Sequence, residues 1–149
     1  MQDESLLRWG VLAAALVGGI VLIAAAFASA DDLSGRTWVA EELTIDGTTT
    51  EPLPGTVLSA LFDNSSVSGI AGCNSYFAGF GTDGSEIRIG LTGSTKMLCA
   101  EPPGIMRQEA EYLRLLNLAD EFELDRESLT LLADGEAIIV FAEADVAEG

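Results

Sequence analysis

Two cysteines are the most reactive side chains in this sequence. Cys73 lies in a run of small and aromatic residues, SGIAGCNSYFAGF at residues 68–80, and Cys99 follows 26 positions later. A cysteine can serve as a nucleophile, a metal ligand or half of a disulfide. The chain has no histidine, which excludes Ser-His-Asp and Cys-His catalysis and histidine-ligated metals. The cysteines also lack C-x-x-C spacing, which excludes thioredoxin-like chemistry and four-cysteine metal sites.

The N-terminal segment predicts the compartment in which these cysteines lie. Residues 10–28 carry no charge, and about 20 apolar residues suffice to cross a bilayer. Arg8 precedes the segment and two aspartates follow it, which predicts an N-terminus inside and a domain outside. The segment ends in Ala28-Ser29-Ala30, a pattern that signal peptidase accepts. Two interpretations stay open: a single-pass membrane anchor over residues 9–30, or a signal peptide cut after Ala30 that releases a secreted or periplasmic protein.

Residues 31–149 are expected to form one domain with a core at about 33–143, preceded by the hydrophobic helix of residues 1–30. The whole chain carries a net charge of −17, which repels nucleic acid phosphates and anionic head groups. No nucleic-acid partner is therefore expected, and because histidine and C-x-x-C spacing are absent, no cofactor or metal is expected either.

An exported location favours a disulfide between Cys73 and Cys99 over a reactive thiol, because oxidation outside the cytoplasm consumes free thiolates. Closing that loop stabilises a fold by roughly 3–4 kcal/mol on the chain-entropy model.

Most of the domain has the patterns of half-buried strands. Apolar residues alternate with polar ones in EIRIGL and EFEL, and Leu58, Ala60 and Phe62 share one face. The same alternation predicts that Cys73 points to the same side as Val67. Residues 46–55 are expected to form a loop, because glycine and two prolines interrupt them. The pattern therefore predicts an α+β domain that is mainly antiparallel β, with one helix.

The helix is predicted to begin at Ile105, after Pro-Pro-Gly. Its apolar stripe is expected to comprise Met106, Ala110, Leu113 and Leu116. Glu109 borders this stripe. We expect its carboxylate to be buried and to accept hydrogen bonds from residues 95–99; the alternative is a carboxylate that reaches solvent at the stripe's edge.

Several spaced motifs together resemble the META domain family, the HslJ-like heat-shock and envelope proteins. The resemblance covers about residues 33–143 and rests on these residues: Trp38, Gly69, Gly72, Cys73, Asn74, Thr95, Met97, Cys99 and Glu109. It implies a small, incompletely closed antiparallel β-barrel with one packed α-helix. No cysteine follows the apolar segment, so the lipid attachment of many family members is not expected here.

The resemblance implies no common reaction and no catalytic residue. We expect a non-enzymatic, monomeric envelope or stress-related module that binds a protein partner or a lipid. The alternative is an enzyme or thiol-redox protein, for which Glu86, Glu101 and Glu109 are candidate acids without the spacing of a carboxylate pair.

The remaining motif residues are interpreted as architecture. We expect Gly69, Gly72, Gly79 and Gly81 to allow sharp strand bending, and Asn74 to adopt a left-handed or bulged conformation in which its amide bonds its own backbone. Contact between Asn74 and a ligand is the alternative. Three aromatic residues are expected to pack in the core and rim, with a ligand rim as the alternative: Tyr76, Phe77 and Phe80.

Overall fold

The computed structural model of the chain describes residues 28–145. The apolar segment expected to enter the membrane lies almost entirely outside this range. The helices are α1 (Ala30–Leu33) and α2 (Ile105–Leu118). The strands are β1 (Thr37–Ile45), β2 (Thr48–Thr50), β3 (Ser59–Asp63), β4 (Ser66–Ile70), β5 (Ser75–Asp83), β6 (Glu86–Ile89), β7 (Gly93–Ser94), β8 (Glu121–Leu124), β9 (Ser128–Ala133) and β10 (Glu136–Glu143).

Eight antiparallel strands form a ring in the order β10-β9-β8-β6-β5-β4-β3-β1, and β1 pairs back with β10. The mainly antiparallel barrel with one packed helix is thus confirmed, but the barrel is closed rather than incompletely closed. The shortest strand pairing of the barrel is that of β6 with β8, in which Glu86 pairs with Glu121. Two backbone hydrogen bonds flank that pair, from Ile87 to Asp120 and from Phe122 to Ser85. The two remaining strands are additions: β2 forms a hairpin with β1, and β7 pairs with β5.

The alternation of side chains explains most of the strands. Leu58, Ala60 and Phe62 are all buried, as are Ile87 and Ile89 of β6. Turn residues with positive φ end the strands where short polar loops occur, as at Asn64 between β3 and β4. The prediction of a loop over residues 46–55 was wrong in part, because Asp46 and Gly47 form a turn that returns the chain as β2.

Large side chains fill the barrel. Five fully buried aromatic residues contribute to one core: Trp38, Phe62, Tyr112, Phe122 and Phe141. Tyr112 comes from α2 and packs edge-on against Tyr76 of β5 at 5.7 Å and Phe141 of β10 at 6.4 Å between ring centroids. Because β5 and β10 lie four strands apart in a ring of eight, Tyr112 bridges opposite walls. The helix α2 therefore acts as a plug.

The buried face of α2 differs from the predicted stripe. The buried residues are Ile105, Glu109, Tyr112, Leu115 and Leu116. Of the predicted set, Ala110 is exposed, and Met106 and Leu113 are only half-buried. The prediction assumed that apolar residues define the buried face, whereas a buried carboxylate lies near the middle of that face. Across residues 28–145, neither helix has the length and hydropathy needed to cross a bilayer.

Candidate functional site

The connection between β4 and β5 forms a tight turn that carries Cys73. The N–H of Ala71 donates to the carbonyl of Asn74 at 2.8 Å, and Gly72 adopts a φ of 97° within this turn. The turn ends the strand alternation, so Cys73 is half-exposed and does not share the buried side of Val67 as predicted. Cys73 forms a disulfide with Cys99, with a Cα–Cα distance of 6.0 Å. Neither cysteine is therefore available as a thiolate or a metal ligand.

Asn74 is the centre of the polar network beside this disulfide. Its side-chain Oδ1 accepts hydrogen bonds from the Thr95 hydroxyl at 2.8 Å and the Met97 N–H at 2.7 Å. Its Nδ2 donates to Met97 O at 3.0 Å and to Glu109 Oε1 at 2.7 Å. Asn74 is not left-handed and does not bond its own backbone, because the positive φ of the turn belongs to Gly72. The amide instead joins segments 21 to 35 residues away.

Glu109 completes the network from the plug helix. It is 6% exposed, and its Oε2 accepts a second hydrogen bond, of 2.7 Å, from the Asn74 backbone N–H. The donors differ from the sequence expectation, which took them from residues 95–99. That segment is connected to Glu109 only through Asn74. Each carboxylate oxygen accepts a hydrogen bond within the fold, which compensates the burial of Glu109.

Two of the motif glycines have identifiable steric roles. A Cβ on Gly69 would lie 2.0 Å from the carbonyl oxygen of Ser59, closer than two such atoms can approach. Gly72 needs its left-handed φ for the turn. The interpretation was wrong for Gly79 and Gly81: a Cβ there would meet only one atom at 3.8 Å, or nothing within 4 Å.

The three predicted rim aromatics separate into two groups. Tyr76 and Phe80 are buried, and Phe80 packs edge-on against Phe62 at 4.9 Å. Phe77 is exposed, and its ring covers Gly93, where a Cβ would lie 2.7 Å from the ring. They do not form one rim, since neighbouring residues of a strand point to opposite faces.

The two tyrosines share one acceptor inside the barrel. The hydroxyls of Tyr76 and Tyr112 donate to the Ser59 carbonyl at 2.8 and 3.0 Å. Burial raises the pKa of both phenols above the ordinary value of 10.0. A phenol that holds its proton this firmly is a structural hydrogen-bond donor rather than an acid catalyst at neutral pH.

The fold does not arrange the three candidate acids as a catalytic pair. Glu86 and Glu101 are exposed, whereas Glu109 is buried in the network. Over residues 28–145, no group of three or more Cys, Asp or Glu residues is arranged to hold a metal ion.

An exposed apolar surface was missed by the sequence interpretation. Phe77 is 68% exposed, Leu91 92%, Met97 57% and Leu98 90%. Register places Phe77 beside Gly93 on one side and beside Ser68 on the other, and Ser68 beside Leu61. The Thr95 N–H donates to the Ser75 carbonyl, so the chain leading to Met97 and Leu98 continues along β5. We call the exposed apolar residues of these segments the apolar face; they are Leu61, Ile70, Phe77, Leu91, Met97 and Leu98.

Charge distribution along the sequence could have revealed the apolar face. The chain has 24 acidic residues, yet residues 64–82 carry no charge. Residues 89–100 carry only Lys96, the one lysine in the chain. In such neutral intervals of an acidic protein, the exposed positions carry no acidic side chain. Strand parity then separates Phe77 from its buried neighbours.

The closed barrel, its plug helix and the satisfied network around Asn74 define a small β-barrel domain whose polar centre is structural. A sequence model of the META domain matches residues 31–145, and the chain belongs to this family.

Solved structures share the fold. A protein from Burkholderia xenovorans, determined by NMR, is 24% identical, with a TM-score of 0.64 and coverage of 78% of this chain and 86% of its own. A second NMR structure is 19% identical, with a TM-score of 0.61 and coverage of 80% and 98%. A DUF4847 family protein from Bacteroides vulgatus is 17% identical, with a TM-score of 0.51 and coverage of 75% and 94%. Comparison with curated proteins gives no match.

Proposed function

We propose that this META domain protein is a non-enzymatic binding module of the cell envelope that recognises a protein partner through its apolar face. The observation that carries the proposal is the exposure of Phe77, Leu91 and Leu98 on neutral segments of a chain with net charge −17. Apolar side chains surrounded by polar surface are the common composition of protein interfaces. Exposed clusters of this kind are costly in water unless a partner covers them.

A protein partner is favoured over a lipid held inside the barrel. A barrel that stores an acyl chain needs an apolar cavity, whereas this interior contains the rings of Trp38, Tyr112 and Phe122. An enzymatic function is disfavoured because the disulfide and the network occupy the thiols and the buried carboxylate.

We also propose that the domain lies outside the cytoplasm and stays attached to its N-terminal segment. The Ser29 carbonyl accepts a hydrogen bond from the Asp32 N–H at 3.0 Å, and the Ser29 N–H donates one to the Asp32 carboxylate at 2.8 Å. Ala28 and Ala30 pack against the core, next to the fully buried Leu33. A cut after Ala30 would remove these contacts, which supports an anchor rather than a cleaved signal peptide. The mass of the mature chain distinguishes them.

Site-specific photo-crosslinking in intact source cells tests the binding role. A photoreactive phenylalanine analogue replaces Leu98 in one variant and Glu123, an exposed residue of β8 elsewhere on the ring, in the control. We expect one discrete protein adduct at position 98 and none at 123. The captured protein is identified by mass, purified, and titrated against the full-length chain. Absence of an adduct, equal adducts at both positions, or an adduct with lipid alone would overturn the proposal.

Exported topology is tested with a tag at Gly149. Protease added to intact spheroplasts should remove the tag, and its protection would contradict the location.

A further inference from the structure

The Asn74 side chain binds both the N–H and the carbonyl of Met97. The Met97 N–H donates to Asn74 Oδ1 at 2.7 Å, and the Met97 carbonyl accepts from Asn74 Nδ2 at 3.0 Å. An amide side chain presents one donor and one acceptor, as a neighbouring strand does. Asn74 therefore substitutes for a strand partner at a place where no strand of the described barrel pairs with Met97.

The segment around Met97 is also fixed at both ends. On one side, the Thr95 N–H donates to the Ser75 carbonyl at 3.0 Å. On the other side, Cys99 is bonded to Cys73, the residue adjacent to Asn74. Glu109 in turn holds Asn74 through two hydrogen bonds. Residues 96–98 are thus a short loop whose backbone is fixed, at Met97 and at both flanks, by three consecutive residues: Cys73, Asn74 and Ser75.

The side chains of this loop point away from the contacts that fix it. Met97 and Leu98 are largely exposed, and Lys96 is exposed between Thr95 and Met97. Their burial cannot be what orders the loop. A fixed backbone beneath exposed apolar side chains lowers the conformational entropy that is lost when a partner binds. Preorganisation of this kind is characteristic of binding sites.

We infer that residues 96–98 are the recognition loop of the apolar face, that Asn74 is its positioning residue, and that the partner is a basic protein with an apolar pocket for Met97 and Leu98. This inference rests on the proposed function. The basic character follows from charge complementarity, because a domain of a chain with net charge −17 attracts cationic surfaces. Lys96 is the only charged residue of the recognition loop, so apolar contact at Met97 and Leu98 buries no carboxylate, and the acidic residues elsewhere on the domain attract the basic partner.

Asn74→Ala tests positioning against a measured loss of stability. It removes the side-chain bonds to Met97 and Thr95 and one of the two bonds to Glu109, and it keeps the backbone N–H that donates to Glu109. The full-length chain and the purified partner captured at position 98 are used to measure affinity for four proteins: wild type, Asn74→Ala, Leu98→Ser and Glu123→Ser. Amide hydrogen exchange of Met97, compared with Ile139 in the barrel core, reports whether the loop alone has loosened.

We expect Leu98→Ser to weaken binding about tenfold or more without changing exchange at either amide. Asn74→Ala should weaken binding on the order of tenfold, with exchange accelerated more at Met97 than at Ile139. Glu123→Ser should bind like wild type. The rate constant for association of the wild-type chain with its partner should fall as salt is added. A rate constant that is independent of salt would overturn the inference that the partner is basic.

The outcomes separate the two proposals. If Leu98→Ser binds like wild type, the assignment of residues 96–98 as the recognition loop is wrong. If Leu98→Ser weakens binding but Asn74→Ala does not, although Met97 exchanges faster, the positioning role is overturned and the proposed function stands. If no partner is captured at position 98, the proposed function itself fails. Should Asn74→Ala fail to fold, Thr95→Val replaces it, because it removes only the hydroxyl bond to Asn74 Oδ1. Thr95→Val should accelerate Met97 exchange and weaken binding severalfold, and unchanged affinity with faster exchange would again overturn positioning.

Discussion

Glu109 of the plug helix accepts two hydrogen bonds from Asn74, each 2.7 Å long, one from the backbone N–H and one from the side-chain amide. Neither described salt bridge includes Glu109, so amide donors rather than a cation compensate this buried carboxylate. The pair fastens α2 to the turn that carries Cys73. This relationship explains why a charged residue lies on the buried face of the helix.

Removing this carboxylate should destabilise the fold strongly. In Glu109→Ala, two buried donors on Asn74 lose their acceptor, and each unsatisfied group costs about 1–3 kcal/mol. We expect the free energy of unfolding to fall by roughly 2–4 kcal/mol, measured by urea denaturation. Glu109→Gln should lie between wild type and Ala, because it keeps the shape and one acceptor.

Glu111→Ala is the matched control on the same helix. Glu111 pairs with Arg114 at 2.7 Å on the exposed side, and such surface pairs contribute about 0–1 kcal/mol. Equal denaturation midpoints for Glu109→Ala and Glu111→Ala would show that the Asn74–Glu109 bonds do not anchor the helix.

The disulfide between Cys73 and Cys99 should be complete in the mature protein. A maleimide should leave the denatured, unreduced chain unlabelled and attach two labels after reduction. The Cys73→Ser/Cys99→Ser double variant should lose roughly 3–4 kcal/mol on the chain-entropy model, because the unfolded chain regains the freedom of that loop. Labelling without reductant would contradict the pairing. An unchanged midpoint in the double variant would contradict its energetic role.

Local patterns predicted much of the barrel. Alternation located the buried faces of β3 and β6, and Pro-Pro-Gly located the start of α2 at Ile105. The expected export of the domain led to the prediction of a disulfide between Cys73 and Cys99. The strand faces and the helix start depend on residues close in sequence, so a single sequence contains enough information to predict them.

The features that escaped prediction depend on distant residues. The buried face of α2 is set by Asn74, 35 positions from Glu109, and apolar periodicity contains no trace of that bond. Closure of the barrel joins Trp38 to Glu143, a pairing that no local pattern indicates. The apolar face was missed because Phe77 resembles its buried neighbours in type and differs only in parity.

Gly69 should not tolerate a side chain, whereas Gly81 should. In Gly69→Ala the new Cβ would collide with the Ser59 carbonyl, which also accepts both tyrosine hydroxyls. Backbone displacement of this kind costs about 1–3 kcal/mol or more. Gly81→Ala meets nothing within 4 Å and should leave the denaturation midpoint unchanged within roughly 0.5 kcal/mol. If both variants have the same midpoint, close approach at Gly69 is not what requires glycine.

The buried tyrosine pair should make the protein sensitive to alkali. The folded state raises the pKa of Tyr76 and Tyr112 above the ordinary value of 10.0, chiefly through burial. The unfolded chain therefore releases these protons at lower pH than the folded chain does. The stability that the phenols contribute is fully present below pH 10 and is lost as the pH rises above it, by up to about 1.4 kcal/mol per pH unit for each tyrosine.

This sensitivity can be followed directly, because the chain contains two tyrosines and both belong to the pair. The near-ultraviolet absorbance of tyrosinate should stay absent in the folded protein above pH 10 and should rise together with loss of the fold. Tyr112→Phe keeps the ring contacts and leaves the Tyr76 hydroxyl on Ser59 O, so it should cost only about 0.5–1.5 kcal/mol at neutral pH. Its stability should then fall about half as steeply with pH. Ordinary tyrosinate titration near pH 10 in a chain that is still folded would contradict the burial of the pair, and an unchanged slope in Tyr112→Phe would assign the alkaline sensitivity to other groups.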